Sequence, residues 1–188
     1  MSAPSLSLEQ SAAALARGGV LVYPTEAVWG IGCDPFDQAA VLRLLAIKQR
    51  SVDKGVILIA ASLDQLDALV DWAALPPERA QAVRASWPGP HTWALPATAL
   101  VPAWISGAHR SVALRVSAHP QASALCRAHG GPLVSTSANL AGQPPAFRRE
   151  ELDRALLALA DGVCEGETGG LAAPTPIRVA STGEVLRG

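Results

Sequence analysis

Fifteen prolines and sixteen glycines divide the 188-residue chain into short segments. Because both residues interrupt helices and strands, the chain is predicted to fold into short elements joined by tight turns. Hydrophobic residues make up 49% and charged residues 16%, a balance that argues against disorder and suits one domain with a substantial core. No apolar run approaches the roughly 18 residues of a membrane-spanning helix. The N-terminus also lacks the basic and apolar regions of a signal peptide, so no membrane association is expected.

The net charge indicates which partners the protein binds, and the cysteines indicate the redox state of its compartment. A net charge of −1 and a pI of about 6.4 show no overall basic excess, so binding to a nucleic-acid backbone is not predicted as the main role. The three cysteines are odd in number and widely spaced, which argues against a disulfide framework or a zinc site and fits a reducing cytosol. They are interpreted as small core residues. The histidines have no metal-ligand spacing and are interpreted as surface or turn residues: His91, His109, His119 and His129.

Strand and helix patterns alternate along the chain. Buried strands are predicted at 20–23, 56–60, 92–95, 111–117 and 132–135, and helices at 8–17, 37–48, 63–70, 76–86, 120–129 and 150–161, with a hairpin at 177–186. Asp37 is the predicted cap of its helix and Gly130 the predicted end of another. Because hairpin signals occur beside the alternation, the prediction is an α/β fold with a mixed sheet.

Four segments carry polar residues that could bind a ligand, and two of them lie in the first third of the chain. In the run from Tyr23 to Gly32, a buried strand is followed directly by Pro24, Thr25 and Glu26. The ends of strands are where α/β proteins tend to bind ligands. The run could equally be an ordinary strand exit in which Thr25 caps a turn. Lys48 and Arg50, with Lys54 close behind, either favour a helix dipole on a solvated face or converge on a polyphosphate.

The other two polar segments lie in the second half. Arg115 stands in an otherwise small and apolar strand, where it meets either a protein carboxylate or an anionic ligand. The small neighbours on its face, Ser111, Ala113 and Ser117, favour the ligand. The run Ser135-Thr136-Ser137-Ala138-Asn139 either forms a plain polar turn or cradles phosphate or ribose with its hydroxyls and backbone N–H groups. Known phosphate-loop, dinucleotide, zinc-protease and serine-nucleophile motifs are absent from the sequence.

Taken in order, these segments resemble the YrdC/TsaC family, in particular its short bacterial branch. The matching blocks are Pro24-Thr25-Glu26 with Gly30 and Gly32, Lys48-x-Arg50, Trp87-Pro88-Gly89-Pro90-x-Thr92, Ala113-Leu114-Arg115, Ser135 to Asn139, and Leu186-Arg187-Gly188. The resemblance covers nearly the whole chain. It implies a single domain over 1–188, with a twisted mixed sheet flanked by helices around a large basic central cavity.

The resemblance also implies an activity: L-threonine, bicarbonate or CO₂, and ATP with Mg²⁺ give threonylcarbamoyl-adenylate and pyrophosphate. The product would pass to the complex that modifies tRNA in the cytoplasm. No side-chain nucleophile is needed, because the carbamate oxygen of the substrate attacks the α-phosphate and the protein positions and stabilises charge. The implied threonine contacts are Thr25, Arg115, Ser135 and Thr175. The implied ATP contacts are Lys48, Arg50, Ser111, Ser137, Asn139 and Arg187.

Three departures and two alternatives accompany the resemblance. Many relatives have Thr and Tyr where this chain has Ala27 and Trp29, and longer relatives have a His in the strand that here reads Ile57-Leu58-Ile59. One alternative is an RNA-binding module for tRNA or rRNA maturation, without catalysis. Weak tRNA binding is compatible with the enzyme as well. The other alternative is a carbamoyl-transfer domain of the kind found in hydrogenase-maturation proteins, against which the absence of zinc-finger cysteines counts.

Overall fold

The structure is a computed structural model that describes residues 3–187 and, of Arg187, the backbone only. Its centre is a mixed sheet of ten strands. In chain order the strands are β1 (Ser5–Leu6), β2 (Leu21–Pro24), β3 (Trp29–Gly32), β4 (Ile57–Ala60), β5 (Thr92–Pro96), β6 (Ser111–Val116), β7 (Leu133–Ser137), β8 (Gly162–Cys164), β9 (Ile177–Val179) and β10 (Val185–Arg187). Across the sheet the order is β1-β8-β2-β3-β7-β4-β6-β5-β9-β10.

Parallel and antiparallel pairings both occur. Strands β2/β3, β3/β7, β4/β7, β5/β6 and β9/β10 run antiparallel, whereas β1/β8, β2/β8, β4/β6 and β5/β9 run parallel. The predicted mixed α/β sheet is therefore confirmed, and the predicted C-terminal hairpin is the β9/β10 pair. The alternation of β6 is also confirmed on its apolar face, since Val112, Leu114 and Val116 are buried.

In the described residues, six α-helices flank the sheet: α1 (Leu8–Leu15), α2 (Gln38–Ile47), α3 (Pro77–Ala85), α4 (Ala103–Ser106), α5 (Pro120–His129) and α6 (Arg154–Leu159). Asp37 caps α2 as predicted, with its side chain accepting from the Ala40 N–H at 3.1 Å. Gly130 ends α5 in the left-handed conformation, with φ of 87°, which glycine adopts without a steric penalty.

The sheet separates two hydrophobic cores. In β2, Leu21 and Tyr23 point into a smaller cluster with Leu125 of α5, whereas Val22 points to the opposite face. That opposite face carries the larger cluster, which includes Leu44 of α2. Successive residues of a strand point to opposite faces, so a central strand covered on both sides is apolar throughout.

Two predicted helices are wrong in form. The segment 63–70 contains two short 3-10 turns, Leu63–Gln65 and Asp67–Leu69, because its end pairs with another segment: the Leu69 carbonyl accepts from the Thr98 N–H at 3.0 Å. The predicted helix 150–161 is shortened to α6, which Asp153 caps. At its far end the Asp161 N–H donates to the Val20 carbonyl at 2.8 Å, so the chain leaves the helix to follow β2.

Candidate functional site

Two clefts lie side by side at the centre of the sheet. The first encloses about 700 Å³ and the second about 480 Å³ of empty space, part of it open to solvent. Ile57, Ser135 and Thr136 line both clefts and so form a shared wall. A ligand in one cleft therefore lies next to a ligand in the other.

The first cleft combines cations with apolar surface. Arg50, Lys54 and His109 lie on its border, together with the Ser111 side of β6. The Arg50 side chain is held by the backbone, because its Nη2 donates to the Gly55 carbonyl at 3.0 Å. Its apolar lining includes Val56, Ala94, Ile105, Ile177 and Leu186. Cations beside an apolar surface suit a ligand that has both phosphates and a planar base.

The second cleft is lined by Thr25, Arg115, Ser137 and Thr175, among others. Thr25 is buried, and its Oγ1 donates to the Val28 carbonyl at 2.8 Å. Because its one hydroxyl proton is used there, the Thr25 oxygen offers only lone pairs to a ligand. It can accept a hydrogen bond from an ammonium or hydroxyl group.

Arg115 meets both of the partners that the sequence left open, a protein carboxylate and a cleft. Its side chain is 7% exposed, and Nη2 lies 3.4 Å from Oε2 of Glu26. Nη1 donates to Oγ1 of Thr175 at 2.5 Å, and Nε has no hydrogen-bond partner within residues 3–187. The guanidinium is thus only partly satisfied by the protein and borders the second cleft.

The alternative that places Lys48 on a solvated face at the end of α2 is wrong. The residue is 8% exposed, and its ammonium group donates to the Ser137 carbonyl at 2.6 Å, to the Asn139 carbonyl, and to Asn139 Oδ1 at 3.2 Å. The end of α2 points at the end of β7 and the loop after it, where the Lys48 ammonium group joins the Ser137 and Asn139 carbonyls. Lys48 lines neither cleft, so its contact with phosphate stays a prediction.

The Tyr23 side chain of β2 also supports the polar residues at the end of β7. Ser135 is buried at the shared wall and lies within hydrogen-bond reach of the Tyr23 hydroxyl. That hydroxyl donates to the Val134 carbonyl at 2.8 Å, and burial raises the pKa of Tyr23 far above its usual value, so it stays protonated. Tyr23 therefore acts as a fixed support for Ser135.

Gly32 allows β3 and β7 to approach each other. A Cβ at this position would lie 1.7 Å from the Val134 carbonyl oxygen and 2.8 Å from the Tyr23 hydroxyl. Any side chain here would separate the strands or displace Tyr23. The glycine of the sequence block is thus required by packing beneath the site.

The structure distributes most of the predicted residues as the prediction assigned them. Thr25, Arg115, Ser135 and Thr175 border the second cleft, and Arg50 and Ser111 border the first. Ser137 lies in the second cleft instead, and Asn139 is turned into its own loop, where Nδ2 donates to the Gln143 carbonyl at 2.6 Å. The side chain of Arg187 lies outside the described residues.

Three ionisable residues at the site were not among the contacts that the resemblance implied: Lys54 and His109 at the first cleft, and Glu26 beside Arg115. Lys54 had a signal, since it belongs to the basic cluster that also contains Arg50. Glu26 had one too, because it adjoins Thr25 in a block of polar residues at a strand end. His109 had no local signal.

His119 is not a surface residue, contrary to the sequence interpretation. It is 4% exposed and caps α5, with Nδ1 accepting from the Ala122 N–H at 3.4 Å and Nε2 bonded to the Glu167 carbonyl at 3.0 Å. Burial lowers the pKa of His119, so the neutral ring is favoured. His129 is also partly buried, with Nε2 3.4 Å from Asp34.

Cys33, Cys126 and Cys164 are buried and free, as the sequence predicted. Burial raises the pKa of the Cys126 thiol to about 12, so it stays protonated and unreactive. In the described part of the chain, no group of three or more His, Cys, Asp or Glu side chains is placed to hold a metal ion. None of the helices between residues 3 and 187 is long and apolar enough to cross a membrane.

Comparison with known proteins decides the family. Residues 13–188 match the family model of the Sua5/YciO/YrdC domain, which carries the description "Telomere recombination". The chain belongs to the Sua5/YciO/YrdC family. Among family members, a threonylcarbamoyl-AMP synthase of Xanthomonas campestris is 63% identical over 96% of both chains. One from Stenotrophomonas maltophilia is 60% identical over 97% of this chain and 98% of its own.

Solved structures of the Sua5/YciO/YrdC family share the fold. Sua5 of P. abyssi, whose crystal structure is complexed with L-threonine, superposes with a TM-score of 0.85 at 26% identity. It matches 95% of this chain, which spans only 54% of that longer protein. YciO of E. coli, at 24% identity and a TM-score of 0.82, supports the fold alone.

Proposed function

We propose that this protein is a threonylcarbamoyl-AMP synthase. It would combine L-threonine, bicarbonate and ATP to give threonylcarbamoyl-AMP, pyrophosphate and water, the first step of N6-threonylcarbamoyladenosine formation in tRNA. The observation that carries the proposal is the shared wall. A cleft with cations and apolar surface adjoins a cleft with a buried arginine, and Ile57, Ser135 and Thr136 line both of them.

Each cleft fits one substrate by its chemistry. In the second cleft the Arg115 guanidinium would pair with the threonine carboxylate, and the Thr25 oxygen would accept a hydrogen bond from the amine. In the first cleft Arg50 and Lys54 would bind the triphosphate, and the apolar lining would bind the base. The Xanthomonas and Stenotrophomonas relatives support this assignment by their name, and the P. abyssi structure by its bound threonine.

The reaction would take place at the shared wall. The threonine amine combines with bicarbonate to form a carbamate, with loss of water. A carbamate oxygen then attacks the α-phosphorus of ATP, the bond to the β-phosphate oxygen breaks, and pyrophosphate leaves. The protein contributes orientation and hydrogen-bond donors, because neither step needs a covalent bond to a side chain. Mg²⁺ would enter with ATP, held chiefly by the phosphate oxygens.

The proposal extends to the surroundings of the enzyme. The three buried free thiols support a reducing compartment, the cytoplasm. The product would pass to the complex that transfers the threonylcarbamoyl group to tRNA. Direct tRNA binding would be weak, since the chain has a net charge of −1.

One assay tests the proposal. The protein is incubated with ATP, L-threonine and labelled bicarbonate, and both pyrophosphate release and label in an adenylate product are followed. Both signals should require threonine and bicarbonate together. Pyrophosphate release at the same rate without threonine would contradict the assignment. Titration with tRNA at several salt concentrations separates the RNA-binding alternative, which predicts tight binding with a steep salt dependence.

A further inference from the structure

Glu26 is a buried carboxylate that lies behind the site and lines neither cleft. One of its oxygens is fixed from the far side. Oε1 accepts from the Ser117 hydroxyl at 2.8 Å and from the Ala118 N–H at 3.2 Å. The carboxylate therefore has a defined orientation set by the end of β6 and the residue that follows it.

The other oxygen of Glu26 faces the Arg115 guanidinium. Oε2 lies 3.4 Å from Nη2 of Arg115 and makes no hydrogen bond within the described residues. Arg115 lies between this carboxylate and the second cleft, since Arg115 lines the cleft and Glu26 does not. The guanidinium group is thus ion-paired with Glu26 through Nη2 while Arg115 borders the cavity.

The backbone of Glu26 holds a second part of the same wall. Its carbonyl accepts from the Leu171 N–H at 3.1 Å, and the neighbouring Thr25 carbonyl accepts from the Gly169 N–H at 3.0 Å. These bonds anchor the segment that leads to Thr175, whose hydroxyl accepts from Arg115. Glu26 is therefore connected to Arg115 directly and through the segment that carries Thr175.

We propose that Glu26 is a positioning residue for amino-acid recognition: its carboxylate orients the Arg115 guanidinium at the wall of the second cleft. The inference rests on the proposed function. Without this anchor, a flexible arginine side chain would have to be ordered each time the amino acid binds. The expected effect is a loss of threonine affinity on the order of 10- to 30-fold, with ATP affinity unchanged.

The test compares two substitutions of the same chemical kind. Glu26→Gln keeps the shape of the side chain but removes the charge that faces Arg115. Asp161→Asn is the matched control, because Asp161 also pairs with an arginine, Arg43 at 2.7 Å, and lines neither cleft. For each variant, threonine and a non-hydrolysable ATP analogue are titrated separately by calorimetry, and the threonine KM and kcat are measured.

Glu26→Gln should raise the Kd and KM for threonine while leaving kcat at saturating threonine and the Kd for the ATP analogue within about twofold of wild type. Glu26→Asp, which keeps the charge, should recover part of the loss. Asp161→Asn should behave as wild type in every titration. A normal threonine Kd for folded Glu26→Gln would overturn the inference and leave Glu26 a purely structural partner.

Two further outcomes need their own tests: failure of Glu26→Gln to fold, and failure of the proposed function itself. If Glu26→Gln does not fold, Ser117→Ala decides, because it removes one of the two bonds that orient the carboxylate without touching the cleft. That variant should raise the threonine KM several-fold, and an unchanged KM would overturn the inference. If wild type and Asp161→Asn show no threonine-dependent pyrophosphate release, the proposed function itself fails, whereas normal release from both leaves only the positioning role in question.

Discussion

At the scale of single residues, the two buried cations of the site have different surroundings. Arg115 keeps donor capacity at the edge of a cleft, whereas Lys48 directs its ammonium group to acceptors of the loop after β7. A buried charge with good hydrogen bonds supports the structure around it, and one that is partly satisfied can also bind a ligand. The two residues should therefore respond differently to substitution.

Arg115→Ala should reduce threonine affinity by about 30- to 1,000-fold, which corresponds to roughly 2–4 kcal/mol for a charge-assisted bidentate pair. Arg115→Lys keeps the charge but lacks the planar group, so it should recover only part of the loss. Affinity for an ATP analogue should change little, because Arg115 lines the second cleft and not the first. Calorimetric titration with each ligand measures both effects. Normal threonine binding by Arg115→Ala would show that Arg115 is a structural ion-pair partner of Glu26 and does not bind the amino acid.

Lys48→Ala should destabilise the protein, because the two Asn139 oxygens lose the Lys48 donor and the Ser137 carbonyl keeps the Asn139 N–H but loses its charged partner. A loss of about 2–4 kcal/mol in the free energy of unfolding is expected. Arg50→Ala removes the donor to the Gly55 carbonyl, so it should lower the free energy of unfolding by only about 1 kcal/mol, but it should bind the ATP analogue at least about tenfold more weakly. Urea unfolding and calorimetry on both variants provide the comparison. The opposite pattern would place Lys48 on the phosphates and make Arg50 the structural residue.

At the scale of elements, the site depends on how closely strands meet and on how helices begin. Strand β3 runs between β2 and β7, and α5 begins beside the segment that leads to Thr175. Gly32 allows β3 to approach β7 closely. The His119 ring joins the start of α5 to the Glu167 carbonyl. Neither residue lines a cleft. Substitutions at these positions should therefore affect stability first.

Gly32→Ala should lower the free energy of unfolding by about 3 kcal/mol or more, because the new methyl group would overlap the Val134 carbonyl. Gly131→Ala is the control. A Cβ at Gly131 would meet no atom within 4 Å, and its backbone is not in the left-handed region, so that variant should be unchanged or more stable by up to about 1 kcal/mol. Denaturant unfolding of both variants measures the difference. Equal stabilities would mean that β3 and β7 can separate freely.

Protonation of His119 should weaken the fold at low pH. Because burial lowers the pKa of His119 from 6.5, the unfolded chain binds the proton more readily than the native protein. The stabilising contribution is present above pH 6.5 and is lost as the pH falls through the lower native pKa. His119→Asn, which can still cap α5, should lose this part of the pH dependence. Urea unfolding at about pH 8 and about pH 5.5 checks the difference, and parallel curves for both proteins would contradict it.

At the scale of the whole molecule, the sequence predicted those features that depend on residues close together in the chain. Asp37 and Gly130 mark helix ends through their own backbone neighbours, and the alternation of β6 is visible within six residues. The strands β1, β3 and β8 were missed, because such short strands are stabilised by pairing with neighbouring strands and have no clear pattern of their own. Of the residues that the family resemblance implied, Thr25, Arg115, Ser135 and Thr175 line the second cleft and Arg50 and Ser111 the first, whereas Lys48 and Asn139 line neither.

Long-range contacts could not be predicted from local sequence. Lys48 reaches carbonyl groups about ninety residues later in the chain, and the Arg115–Thr175 bond joins residues sixty apart. Sequence spacing shows which face of an element a side chain occupies, but not which distant loop will cover that face. The partners of Lys48 therefore could not be predicted from its neighbours in the sequence, whereas that of Asp37 could.

The shared wall of Ile57, Ser135 and Thr136 also matters for inhibitor design. A stable compound that joins a threonine-like group to adenosine through a short sulfamate linker could reach both clefts at once. Once one half is bound, the other is present at an effective concentration in the millimolar range, so the joined molecule should bind about 10²- to 10⁴-fold more tightly than either half. Because both cavities touch the same three residues, the linker can be short and rigid, which limits the entropy lost on binding.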